Sequence, residues 1–121
     1  MRTIKFRAWN KSSEKWVDLS AHYDFDTKGE LYQTDFKQIE LMQYTGLKDK
    51  NGKDIYEGDI VKHHRRDKEE SWNQEVRWGD KKAEWLLVNS QSRSDKLSIV
   101  IGKGWADMYV IGNIYENKEL L

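Results

Sequence analysis

Residues 41–62 read LMQYTGLKDKNGKDIYEGDIVK, and the choice between helix and strand for the whole chain turns on them. Lys48-Asp49-Lys50-Asn51-Gly52-Lys53 is a polar loop around Asn-Gly, the dipeptide that most strongly favours a type I′ turn because both central residues tolerate positive φ. Beyond it, Ile55-Tyr56-Glu57-Gly58-Asp59-Ile60-Val61-Lys62 reads as a turn leading into a strand. Gly58-Asp59 permits a sharp reversal before Ile60 and Val61 enter the core. On the N-terminal side, Phe36 to Tyr44 fits either an alternating strand or a short helix.

Working outward, Thr3-Ile4-Lys5-Phe6-Arg7-Ala8-Trp9 has period-2 alternation, with Ile4, Phe6 and Ala8 on one face and Lys5 and Arg7 on the other. Asn10-Lys11-Ser12-Ser13-Glu14-Lys15 has turn chemistry, so Trp16-Val17-Asp18-Leu19 is expected to return as a hairpin. A second hairpin is expected from Tyr23-Asp24-Phe25 to Leu31-Tyr32-Gln33. Downstream, Arg65 to Ser71 reads as a solvated loop, Glu75 to Trp78 and Ala83 to Val88 as strands, and residues 89–96 as an exposed loop or weak edge. Leu97-Ser98-Ile99-Val100-Ile101 and Met108 to Tyr115 complete the expected strands. Asn117 is expected to cap a final helical turn. Strands at about 8–12-residue spacing without helices between them predict an antiparallel roll or small barrel.

Composition sets the limits of function. Twenty-one Lys+Arg balance twenty-one Asp+Glu, and residues 1–58 carry ten of each sign, which excludes bulk-charge binding to nucleic acid or a membrane surface. Zero cysteines exclude a disulfide framework, thiol catalysis and thiolate metal sites. No apolar run approaches the ~18–20 residues of a membrane span, and MRTIKFRAWN lacks the apolar core of a secretory signal. Leu, Ile, Val and Phe total only 26 of 121, so the fifteen aromatics must supply apolar surface for a globular core.

No constellation of side chains points to catalysis. His63 and His64, adjacent on a strand, face opposite ways and cannot share an ion, and Asp59 is too far along the strand to join His63. An exposed strand end is the plainer reading of this pair. His22 stands alone. Gly102-Lys103-Gly104 lacks the rest of a phosphate loop and reads as a turn. No serine lies near a candidate base, and abundant carboxylates are not by themselves a glycosidase. No catalytic residue, cofactor or metal site is therefore expected. Of the aromatics, Trp9 and Trp72 are expected at the surface, and Trp105 over the barrel end. Lys5, Arg7 and Trp9 on one strand face, with Arg65, Arg66 and Trp72 in the loop, form the candidate nucleic-acid or interface surface.

Three segments, Ile4 to Asn10 (IKFRAWN), Leu41 to Lys62 and Val110 to Leu121 (VIGNIYENKELL), together resemble the YopX family of phage and prophage proteins. The departures are at Lys118, where the family pattern has proline, and in residues 63–105, which match no part of that pattern. The resemblance implies a mainly β fold: N-terminal antiparallel hairpins (residues 1–43) and a C-terminal SH3-like barrel or roll (44–121), with little helix. It also implies possible self-association, and it carries over no activity and no site residue. The expected function is a non-enzymatic, self-associating interaction module in the cytoplasm of a bacterial host, with a small nucleic-acid-binding barrel as the alternative.

Overall fold

A computed structural model describes residues 3–18, 36–89, 94–103 and 106–121. The expected hairpin at Tyr23–Gln33, His22 and Trp105 lie outside the described residues. The chain is mainly β, as expected, and forms two antiparallel sheets. The first has the order β2-β1-β3-β4, from β1 (Phe6–Asn10), β2 (Lys15–Val17), β3 (Ile39–Lys48) and β4 (Asp54–Tyr56). The second runs β8-β7-β6-β5-β9, from β5 (Asp59–Arg65), β6 (Glu70–Gly79), β7 (Glu84–Val88), β8 (Ser94–Lys96) and β9 (Asp107–Asn113), and curls into a half-barrel. Strand β3 runs through residues 43 and 44, where the division between hairpin region and barrel was expected. Among the described residues no helix is long and apolar enough to cross a membrane.

Leu97–Lys103 is an α-helix, α1, and not the expected strand. Leu97 and Val100 are buried and Ile101 partly so, while Ile99 is exposed. That is helical spacing, and a run of five residues fits both periods. The helix decides for itself by what it covers. Leu97 and Val100 pack with Ile55, Val61, Val76, Leu87 and Met108, filling the hollow of the curled sheet with a plug that another flat strand could not supply.

The first sheet is turned over relative to its alternation. Ile4 is 65% exposed, Phe6 44% and Leu41 55%, whereas Trp9 is buried and Met42 and Tyr44 with it. The face bearing Lys5, Arg7 and Trp9 packs inward. Counting Lys and Arg as outward residues fails here because Trp9, Trp16, Tyr44 and Tyr56 offer more apolar area than Ile4, Phe6 and Ala8, and basic side chains can lay their stems and planes along rings. Leu41 faces out with the first-strand set because Ala8 pairs with Leu41 in register.

The Asn-Gly loop is tight, but it is not type I′: Gly52 has φ +82° and Asn51 is not at positive φ. Gly52 N–H closes the turn onto Asp49 O at 3.0 Å. The Asp49 carboxylate organises it, with Oδ1 accepting from the N–H groups of Asn51 and Lys53, each at 2.9 Å. Gly58 has φ +84°, and an added Cβ would lie 3.1 Å from Met42 Sδ. The 65–71 segment is shorter than a loop: β5 and β6 pair from Ile60↔Glu75 to Arg65↔Glu70, leaving a four-residue turn. At the other end the expected final helical turn is a 3₁₀ turn over Lys118–Leu120 that begins at Asn117, but the Asn117 side chain does not cap it. Asn117 Oδ1 reaches back to Asn113 N–H at 3.2 Å instead. Asn73 Nδ2 donates to Leu120 O at 2.8 Å, docking the segment on β6 of its own chain.

The two glycines should differ in tolerance. Gly52→Ala meets open space and should cost about 1–2 kcal/mol for the left-handed backbone alone, and the β-branched Gly52→Val about 1–3 kcal/mol. Gly58→Ala adds the contact with Met42, so denaturant unfolding should rank it below Gly52→Ala; equal midpoints would refute this. Truncation after Asn117 should lower the melting temperature, by about 1–2 kcal/mol for the lost leucine packing and hydrogen bond, with unchanged mass in solution. Loss of an assembled form on truncation would place the segment at an interface instead.

Candidate functional site

The six residues expected to form one surface are used in three ways. Arg7 lies between two rings, its guanidinium carbon 4.8 Å from the Trp16 centroid and 4.7 Å from that of Tyr56. Its Nη2 donates to Asp59 Oδ1 at 2.6 Å and to Glu57 O at 3.4 Å. The side chains of Arg7 and Asp59 are 22% and 2% exposed. Asp59 Oδ2 also accepts the Tyr56 N–H at 2.8 Å. A strand of the first sheet is thus tied to the first residue of β5 by a stacked, nearly dry ion pair. Lys5 sits 4.6 Å over the Tyr44 ring and pairs with Asp54, which Lys48 also holds. Two cations hold the Asp54 carboxyl below its ordinary range, through their hydrogen bonds first.

Trp9, expected at the surface, is buried under Trp16, edge-on at 5.0 Å, and Tyr115, stacked at 6.1 Å. Trp16 in turn donates through Nε1 to Glu116 Oε1 at 3.1 Å. The N-terminal half of the expected surface is therefore a joint between the sheets and the C-terminal turn.

The other half lies toward the far end of β5, and only Arg66 of it is in the turn: Arg65 ends β5 and Trp72, expected in a loop, lies on β6. Arg65 pairs with Asp67 at 3.1 Å, and Arg66 with Asp107 at 3.1 Å. Lys50 reaches the same Asp107 at 2.9 Å, and hydrogen bonding from Lys50 holds that carboxyl below its ordinary range. Trp72 stacks on His63, with ring centroids 4.9 Å apart and planes at 12°. His63 is buried on the inner wall of the half-barrel and is not the exposed strand end expected for it. His63 and His64 do face opposite ways, and among the described residues no cluster could hold a metal.

Among the described residues, one concavity lies against Arg7 and another against Trp72. One, of about 410 Å³, is lined by Arg7, Trp16, Lys53, Asp59, Asn113 and Glu116, with charges of both signs. The other, of about 720 Å³, lies beside Trp72 and is lined by Lys62, Asn73, Ile111, Leu120 and Leu121. Neither brings together a nucleophile and a base in the way acyl or phosphoryl transfer requires. Sequence reasoning missed the partner set of Arg7, because Asp59 and Tyr56 lie far from it along the chain, although the expected hairpin already brought Trp16 beside the strand. The one available signal was Arg7 and Trp9 flanking Ala8 on a strand rich in rings.

Burial pushes the Asp59 carboxyl above its ordinary value of 3.8, while Arg7 and the Tyr56 N–H pull the other way. A carboxyl raised in the folded state contributes stability that is present below its unfolded value and lost as pH rises through the folded one. Arg7→Met removes the main opposing attraction, so the loss should be largest at neutral pH, about 3–5 kcal/mol for a buried charge left without its partner. Melting temperatures of wild type and Arg7→Met should converge as pH falls from neutral through the raised Asp59 value, where the carboxyl takes up its proton. A deficit independent of pH would show that Arg7 acts by packing alone.

Comparison with known proteins follows the same lines. The chain matches the family described as YopX protein over residues 5–121. The crystal structure of protein EF1440 from Enterococcus faecalis is 25% identical, covers 100% of this chain and 99% of its own, and superposes with a TM-score of 0.66. That of protein YopX from Bacillus subtilis is 22% identical over 100% and 99%, with a TM-score of 0.60, and shares the fold. No curated protein matches. With the KFRAW, YTGLKDKNGK and IGNIYEN segments all spent on turns, strand starts and the Arg7–Asp59 joint, and the match running through nearly the whole chain, this protein belongs to the YopX family.

Proposed function

We propose that this protein is a phage- or prophage-encoded, non-enzymatic interaction module that self-associates in the cytoplasm of a bacterial host. The observation that carries the reading is the outward face of the first sheet. Ile4, Phe6 and Leu41 are exposed there together, Phe6 pairing with Gln43 and Leu41 with Ala8, two residues further along β1. Large apolar side chains gathered on one sheet face favour a protein partner over solvent. The alternative, nucleic-acid binding through the six surface candidates, has less support. Lys5, Arg7, Arg65 and Arg66 each already face a carboxylate of the chain, and phosphate would have to displace it.

Light scattering decides between assembled and single chains. The wild type is expected to run as an oligomer, and Phe6→Lys with Leu41→Lys to run as a monomer with an unchanged circular dichroism spectrum. A wild-type monomer at high concentration would end the assembly reading. Binding to single- or double-stranded probes that weakens steeply with salt would favour the alternative.

A further inference from the structure

Strand β5 carries a cation that the fold does not use. Lys62 is exposed, and among the described residues no carboxylate pairs with it. Its partners in register are Asn73 on β6 and Tyr109 on β9, neither of them an acid. The ladder next to it is irregular: Ile60 pairs with Gly112 and Val61 with Val110, so Ile111 is an extra residue with no partner on β5. A bulge of this kind re-aims a side chain, and Ile111 is 36% exposed. The C-terminal turn forms a facing wall. Asn73 Nδ2 holds Leu120 O at 2.8 Å, and Leu121 is 43% exposed. Ser71 pairs with His64, two residues beyond the Lys62–Asn73 pair, which leaves its exposed hydroxyl diagonal to Lys62. Lys62, Ser71, Ile111, Leu120 and Leu121 all border the groove of about 720 Å³ beside Trp72, and no Asp or Glu side chain lines it.

We propose that this groove binds a small amphipathic carboxylic acid, with the carboxylate on Lys62 and Ser71 and the alkyl chain along Ile111, Leu120 and Leu121. Apolar walls with a few polar groups to fix orientation are the usual make-up of a small-ligand site, and the volume lies in the usual range. The sign of the ligand follows from Lys62, the one charged side chain in the lining, which can give an anion a charge-assisted hydrogen bond. A single lysine matches a singly charged head group. A phosphate monoester, with about two negative charges, would keep one of them unmatched. An alkyl chain fits better than a ring, because the walls are branched aliphatic side chains and Trp72 already has a ring face against His63. Such a chain takes Ile111 and Leu121 out of water. The groove is built from the second sheet and the C-terminal turn, whereas Ile4, Phe6 and Leu41 belong to the first sheet, so this site and the self-association reading stand or fall separately.

Octanoate, kept below its micellar concentration, is the probe. Titrated into the whole wild-type chain and followed by nitrogen-15 NMR, it should saturably shift the Trp72 indole and the Ile111 and Leu121 amides. Octylammonium should bind roughly tenfold more weakly, the loss expected for one hydrogen bond to a charged group. Lys62→Met keeps the aliphatic stem and removes the charge. In this variant octanoate should weaken roughly tenfold, whereas octan-1-ol should bind as it does to wild type; Lys62→Arg should retain octanoate. Shifts that do not saturate, shifts that saturate away from the groove, or octylammonium binding as tightly as octanoate overturn the proposal, and these comparisons need no variant. Equal octanoate affinity in wild type and Lys62→Met overturns it as well.

Discussion

The contact between Arg7 and Asp59 sets where everything else can be. Both groups have been taken out of water, which is unfavourable for either alone, and the geometry offsets the loss by placing the guanidinium between the Trp16 and Tyr56 rings with the carboxylate also accepting the Tyr56 N–H. A buried charge has few acceptable positions. Fixing Arg7 therefore fixes the inward face of β1, and fixing Asp59 fixes the first residue of β5, so the pair relates one sheet to the other. The positive φ of Gly58 belongs to the same arrangement, since it turns the chain immediately before Asp59 and brings the strand ends together.

Asp49 does comparable work at the other end of the motif. Its Oδ1 shapes the Asn51-Gly52 turn, and its Oδ2 accepts the Val110 N–H at 2.9 Å while Lys50 N–H donates to Met108 O at 3.0 Å. The loop thereby covers backbone groups along β9, one of the two edge strands of the half-barrel, which would otherwise be open to pairing with another chain. Asn113 plays the matching part in the C-terminal turn, accepting the N–H groups of Tyr115 and Glu116.

These assignments bear on function. Polar residues at the most distinctive positions of the chain, Arg7, Asp49, Asp59 and Asn113, have partners within the fold, and their chemistry is used there. A ligand or a second protein must be met by side chains that the fold leaves over. The exposed Ile4, Phe6 and Leu41 and the groove beside Trp72 are such surfaces, and neither lies in the polar part of the motif.

The amino-acid sequence by itself determined the β character, the turns at Asn10–Lys15, Asn51-Gly52 and Gly58, the separation of His63 from His64, and the absence of any thiol chemistry, because each follows from local alternation, turn propensity or composition. Only the tertiary structure decided which face of the first sheet is inside. Period-2 alternation separates two faces without ranking them, and the rank depends on rings brought in from Trp16, Tyr56 and Tyr115. The helix at Leu97–Lys103 was read as a strand for a related reason: a run of five residues, four of them apolar, satisfies either period, and the hollow of a curled sheet selects the helix. Surface exposure of Lys5, Arg7, Arg65 and Arg66 was likewise beyond local reading, since their carboxylate partners Asp54, Asp59, Asp67 and Asp107 are, except for Asp67, distant in the chain and near only once it has folded.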